Sequence, residues 1–326
     1  MLHLTNGDGA AEQMRAGGIP GEILPWRDVL HEGPVPAGLT LAALREVRAR
    51  FIASCGWGEL PAVLDGFARR DAVLESFRAH EEVLLWFEPD LYDQLQLIQI
   101  LDWFFERNLG STRLSIVSVA EPLGTLSANR FEALLDGRAA VILEEMETAR
   151  QAWKEVRDPD PSGLEELIRR GTPALPHLSA ALLRFLREFP SVKNGLSLIE
   201  DRALQAIARG RSMLHEAFIA AHHEQEEHVF LGDAVFALSL QRMSSVEKPL
   251  LVMEDGSPVQ VPREPGAVEG FWQRRAVVTG TGKDVLSGKL DHLRLNGIRR
   301  WLGGTFLQGR GPVWRWDEDR RALTYQ

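Results

Sequence analysis

The chain predicts an α/β protein in three parts: a doubly wound parallel sheet over residues 1–125, a helical connector over 126–195, and a winged-helix-like α+β unit with a β appendage over 196–326. Three observations predict it. Four strand-like segments interleave with helical ones in the first part; the strand signal stops after Ser127; and short helices followed by hairpin-like pieces return after Leu196. Residues 2–4 form a short apolar strand, Asn6-Gly7-Asp8-Gly9 a turn, 10–15 a helix closed by Gly17-Gly18, and 22–26 a second strand. That order opens a βαβ unit. A polar loop over 27–38 leads to helices expected at 41–55 and 60–79, where apolar residues recur at three- and four-residue spacing. Val83-Leu84-Leu85-Trp86-Phe87 is apolar without interruption, as a strand buried on both faces of a parallel sheet must be. Asp90 is a good N-cap for a helix reaching about Asn108, with Asp93 also near its positive end. Residues 114–119 supply the fourth strand.

Segments 128–136, 141–157, 163–170 and 178–189 carry helical patterning, separated by breaks such as Asp158-Pro159-Asp160-Pro161. Ser197-x-x-Glu200 is a capping box opening a helix over 198–208. Ser212 is expected to cap a second helix to about His223, and Gly232-Asp233 starts a third to about Met243. Strand-like pieces follow at 250–253, 271–279, 298–301, 305–307, 313–316 and 323–325, with no internal repeat anywhere.

Composition narrows the function classes. Of 326 residues, 44% are apolar and 25% charged, which excludes a disordered or fibrous chain. No uncharged apolar run approaches the ~18 residues of a membrane span, and the N-terminus turns polar at Asn6, so a soluble, unexported protein is expected. Cys55 is the single cysteine; it excludes an intrachain disulfide and a cysteine-built zinc site, and fits a reducing cytoplasm. Net charge is -9, yet residues 260–326 hold 12 Lys+Arg against 7 Asp+Glu, a local balance of +5. Any polyanion partner should therefore meet that region.

Ligands of a doubly wound sheet bind beyond the carboxyl ends of its strands, and the residues there are unusually polar. Gly7-Asp8-Gly9 leads into a helix but lacks the third glycine of a dinucleotide fingerprint, because Glu12 stands there. What remains is a glycine turn at a helix N-terminus, a generic anion site, with Asn6, Gly7, Asp8 and Gly9 as candidate ligand-binding residues. Asp8 would repel an anion there, and its plainer role is as a turn residue and cap. Asp28-x-x-His31-Glu32 offers two carboxylates and an imidazole within five residues, sufficient for acid–base chemistry. With Glu88 these are the candidate catalytic residues; no metal set is assigned and no cofactor is named. Hard oxygen ligands would favour Mg²⁺ or Mn²⁺ if a cation were present. His215, His222, His223 and His228 among Glu224, Glu226 and Glu227 look like a solvated helix end. In the third part, the would-be DNA-reading helix carries only Arg242, whereas Arg274, Arg275, Lys283, Lys289, Arg294, Arg299, Arg300 and Arg310 follow later, with Trp301, Trp314 and Trp316 between. Interleaved basic and aromatic side chains suit a nucleic-acid backbone, though hairpin tryptophans are commonly core.

Three phrases, Leu4-Thr5-Asn6-Gly7-Asp8, the run Trp26 to Pro34, and the run Trp86 to Leu95, resemble a bacterial family catalogued only as a domain of unknown function. Trp301-Leu302-Gly303-Gly304 also looks like the ends of some longer members. The resemblance implies that these loops act together, without implying a reaction. The expected function is binding of a small polar or phosphorylated molecule at the strand ends, as an enzyme or otherwise. The alternative is a ligand-responsive regulator that binds nucleic acid through its basic C-terminal region.

Overall fold

The computed structural model describes residues 1–119, 121–263 and 265–326. The first part runs β1 (Leu2–Thr5), α1 (Asp8–Ala16), β2 (Glu22–Pro25), β3 (Gly33–Pro34), α2 (Leu41–Ser54), α3 (Leu60–Glu75), β4 (Glu82–Phe87), α4 (Leu91–Phe105) and β5 (Arg113–Ser118). The connector follows with α5 (Ala128–Asp136), β6 (Ala139–Ala140), α6 (Leu143–Val156), α7 (Ser162–Arg170) and α8 (Leu178–Leu186). Next come α9 (Leu198–Ala208), α10 (Leu214–Phe218), α11 (Asp233–Ser244), β7 (Leu251–Met253), α12 (Val268–Trp272), β8 (Ala276–Val278), α13 (Gly280–Leu286) and α14 (His292–Asn296). The chain finishes with β9 (Ile298–Gly303), β10 (Thr305–Gly309), β11 (Trp314–Asp317) and β12 (Ala322–Tyr325).

The main sheet has the order β2-β1-β4-β5-β6, parallel except for β6. Its period-two alternation serves two cores. Leu2, Leu4, Val83, Leu85 and Phe87 point into one cluster with α4, α6 and α8, while Leu84 and Trp86 join Met14, Leu123 and Phe131 on the other face. Each of these buried side chains contributes roughly 1.5–3 kcal/mol, so β1 and β4 together anchor the sheet. Even His3 is internal: its Nδ1 accepts from Trp86 Nε1 at 3.0 Å. The architecture is thus an α/β sheet covered on both faces, followed by a C-terminal region with small sheets.

Four local expectations need correction. Ala139–Ala140 is a strand although the sequence there carries no strand signal; Val141 N donates to Leu114 O and fixes it as the sheet edge. Gly33–Pro34, read as loop, is also a strand. Ser212 does not cap the second helix, whose N-cap is Met213; the Ser212 hydroxyl accepts from Arg275 Nη1 instead. Only the end of 271–279 is strand, because Phe271 and Trp272 close a helical turn and bury against Phe218 and Phe236. By contrast, Ser197 and Glu200 form the capping box as read, and Asp90 caps α4.

Residues 298–326, grouped by sequence with the preceding helices, pack elsewhere. Leu302, Leu307, Val313, Trp316 and Leu323 share the core of β1 and α4, whereas 196–286 build a separate one around Leu204, Leu214, Phe236 and Met253. Strand β9 lies between β10 and β3, with Gly33 opposite Leu302 and Pro34 opposite Gly303. Gly303 needs its left-handed φ of +58°, and a Cβ there would sit 2.2 Å from Val156 O. No helix among the described residues is long and apolar enough to cross a membrane.

Candidate functional site

The first crossover carries the chain from β1 to β2 on one side, and the later one places β4 on the other side of β1. The carboxyl ends of β1 and β4 therefore flank the topological switch point, where an open α/β sheet leaves a crevice. Asn6 follows β1 directly and Glu88 follows β4 directly. Asn6 Nδ2 donates one hydrogen to Glu88 Oε1 and one to Asp93 Oδ2, each at 3.0 Å. Leu123 N also donates to Glu88 Oε1 at 2.9 Å, and Glu88 N donates to Asp93 Oδ2. Tyr92 Oη donates to Asn6 O at 3.1 Å and Gln94 Nε2 to Glu88 O at 2.8 Å, so α4 locks both strand ends in place.

One amide thus holds two carboxyl groups together, with Asp90 in the turn between them. Asp93 is fully buried and its Oδ1 has no protein partner. Burial first, then the neighbouring Asp90 and Glu88, push the Asp93 carboxyl well above the usual range. Burial raises Asp90 to about 7, against the backbone N–H of Asp93 that its side chain accepts. Glu88, half-buried, is raised by burial, opposed by Leu123 N and Asn6. Burial thus works against the charged form of all three acids. No group of three or more His, Cys, Asp or Glu side chains among the described residues is arranged to hold a metal ion.

The helix N-terminus of α1 opens beside Asn6. Gly7 is its N-cap, and a Cβ at Gly7 or Gly9 would meet nothing within 4 Å, so the rim above it is open. The anticipated repulsion by Asp8 is offset: Arg27 Nε donates to Asp8 Oδ1 at 2.9 Å and to Oδ2 at 2.8 Å. Both side chains are more than half exposed, so this pair adds little stability.

Asp28, His31 and Glu32 are placed differently. Asp28 is buried against Arg48, whose Nε donates to Asp28 Oδ1 at 2.9 Å while its other nitrogens donate to Val29 O, Glu32 O and Pro34 O. Arg48 of α2 thereby shapes the whole 28–34 loop. Glu32 is 2% exposed and accepts from Arg242 Nη1 at 3.0 Å and Arg300 Nη2 at 2.7 Å. Burial raises its carboxyl, but the two guanidiniums lower it further, to about 2. His31 is buried edge-on to Phe230 and Tyr92, with neither ring nitrogen hydrogen-bonded, and burial lowers it to about 4. It is neutral at pH 7. These three side chains hold protein partners or lie in the interior, and none hydrogen-bonds to the Asn6–Glu88 cluster.

The sequence reading missed the cations. Glu32 belongs to a buried chain in which Arg300 also reaches Glu188, Arg184 bridges Glu188 and Glu226, and Arg202 pairs with Glu226. Arg184 of α8 and Glu188, in the turn just after it, are four apart in sequence, a spacing that hinted at the pair. Glu226 is therefore no solvated residue, and His222, fully buried, accepts from Phe230 N and Leu231 N. The basic C-terminal region is also partly committed: Arg242 and Arg300 bind Glu32, Arg315 binds Asp291, Arg274 binds Asp255 and Arg310 binds Glu247. Trp301 stacks on Phe306 and Trp316 is buried. No protein-family model and no curated protein matches the chain.

Proposed function

We propose that the chain binds a small polar or phosphorylated metabolite in the crevice between the ends of β1 and β4, and that the acids Glu88, Asp90 and Asp93 exchange a proton with it. The observation that carries this reading is the Asn6 amide, which holds Glu88 and Asp93 at the switch point with hydrogen bonds of 3.0 Å each. Groups of raised pKa gathered at a strand-end crevice are the expected signature of a working site. The open N-terminus of α1, with Asp8 neutralised by Arg27, supports a place for a phosphate or carboxylate. Asp28, His31 and Glu32 act in this reading as positioning residues, holding the loop behind the crevice. The cytoplasm is the proposed compartment, in line with the lone Cys55, and kinship with the family of unknown function belongs to the same proposal. Native mass spectrometry of the purified protein should show a copurified small molecule that Asn6→Ala and Glu88→Gln lose. A chain free of ligand in every preparation refutes the proposal.

A ligand-responsive regulator that binds nucleic acid is the second reading. It is supported by the element order of residues 196–286: α9, the Met213–Arg275 bridge, α10, α11, then the antiparallel pair β7 and β8, as a winged helix would have. Salt-dependent retention on duplex DNA tests it, and no retention at low salt refutes it.

A further inference from the structure

The C-terminal cations divide into two groups. Arg242, Arg274, Arg300, Arg310 and Arg315 are engaged by carboxylates. Arg294, by contrast, pairs with no carboxylate among the described residues, and Lys289 meets only Asp284, at 3.6 Å and with its own side chain 74% exposed. An exposed pair of that length contributes little. Lys289 and Arg294 line one open cavity of about 510 Å³, together with Lys193 from the segment between α8 and α9. All three side chains are exposed, and Lys193 likewise has no carboxylate partner among the described residues.

The fold fastens the two walls of this cavity to each other. His292 N donates to Asn194 O at 2.8 Å, and Arg315 Nη2 donates to Ser191 O at 2.6 Å and to the Asp291 carboxylate. Gly195, at φ +77°, sits so close that a Cβ there would come within 2.6 Å of Leu293 N. Gly288 faces Lys193: a Cβ on it would lie 4.0 Å from Lys193 Cγ, so the lysine stem runs beside the turn that carries Lys289. Asp291 is the one acidic side chain lining the cavity, and it is already engaged, its Oδ1 accepting from Arg294 N at 2.9 Å and its Oδ2 from Arg315. Backbone contacts therefore gather three cations around one concavity with no acid left to balance them. Such a surface concentrates positive potential and attracts a polyanion. The cations stand exposed along the rim, on two separate segments, which suits a chain of phosphates passing over them better than a single enclosed anion.

We infer that this cavity is a contact surface for the phosphate backbone of a nucleic acid, with Lys193, Lys289 and Arg294 as its phosphate-binding side chains. The inference rests on the second reading above and names where the phosphates sit; α13 and α14, which carry Lys289 and Arg294 on their flanks, follow β8 directly in the chain. Fluorescence anisotropy of a labelled duplex oligonucleotide, titrated with the full chain across a range of salt, tests it. The combined variant Lys193→Gln/Lys289→Gln/Arg294→Gln should flatten the dependence of log affinity on log salt by about 3, roughly one per cation removed, and weaken binding about tenfold or more at about 50 mM salt, equally for unrelated sequences. The control Arg50→Gln/Arg69→Gln/Lys154→Gln removes the same charge from exposed positions on α2, α3 and α6 and keeps the wild-type slope. Both variants keep the wild-type melting temperature, since every substituted side chain is exposed. An unchanged slope in the first variant, or an equal loss in both, overturns the inference and leaves the second reading standing. Absence of wild-type binding at low salt removes both.

Discussion

Replacing Asp90 with Asn should stabilise the protein at alkaline pH. Asn caps a helix as well as Asp does, and its side-chain oxygen can still accept from Asp93 N as Asp90 Oδ1 does at 3.1 Å. What disappears is a charge in a site that resists it. Burial, and then the Glu88 charge, raise Asp90 from 3.8 to about 7, so between those pH values the folded chain keeps a proton that the unfolded chain has released. Stability should then fall as pH rises through this window, by about 1.4 kcal/mol per unit of pKa difference, or about 4 kcal/mol over the full Asp90 shift. Urea denaturation at pH 5 and pH 8 reads this directly. We expect wild type to lose about 3 kcal/mol between the two, because part of the window lies below pH 5, and Asp90→Asn to lose much less and to exceed wild type at pH 8. Ligand response should drop in the same variant, the trade of stability for function seen where charges are held against their preference. Parallel pH curves for the two proteins would refute the reasoning.

Other expectations follow from the buried ion chain and the tight turns. Glu32→Gln leaves Arg242 and Arg300 without their shared carboxylate, and should cost about 3–5 kcal/mol by chemical denaturation at pH 7. Glu32, lowered to about 2 by Arg242 and Arg300, and Glu226, lowered to about 2 by His222 and then Arg184 and Arg202, each against burial, contribute stability that is full above about pH 4.5 and is lost as pH falls toward 2. Since Asp90 slopes the other way, the melting temperature should peak near about pH 5 and decline on both sides; a plateau from pH 4 to 8 would contradict this. Gly33→Ala asks an L-residue to adopt φ +80° and drives a Cβ to 2.5 Å from the Phe51 ring, for a loss of about 2–4 kcal/mol in the same denaturation assay.

Much of the architecture was legible because local pattern and tertiary need agreed. The uninterrupted Val83 to Phe87 run reads as a two-face buried strand and is one, and Asp90 reads as a cap and is one. Ala139–Ala140 escaped because alanine has little strand preference, and only pairing with Ser115 and Ile116 makes it a strand. At the site, Asn6 and Glu88 were legible from their positions after strands, yet their direct hydrogen bond was not, since 82 residues separate them. Asp28 and Glu32 misled for a related reason. A loop carboxylate looks the same whether it faces solvent or an arginine, and the partners of Glu32 lie 210 and 268 residues away.

The two-residue ladder joining Gly33 and Pro34 to Leu302 and Gly303 also bears on how the chain is made. Loop 28–34 emerges well before β9 and its Arg300, which follow it by more than 260 residues. Until then Glu32 has no Arg300 to meet, and β3 lacks β9, the strand it pairs with. The nascent protein can complete its parallel sheet while loop 28–34 still waits for its partner strand, and under the proposed function it would bind ligand only once β9 is in place. Such late, sequence-distant closure slows the final step of folding relative to the sheet itself.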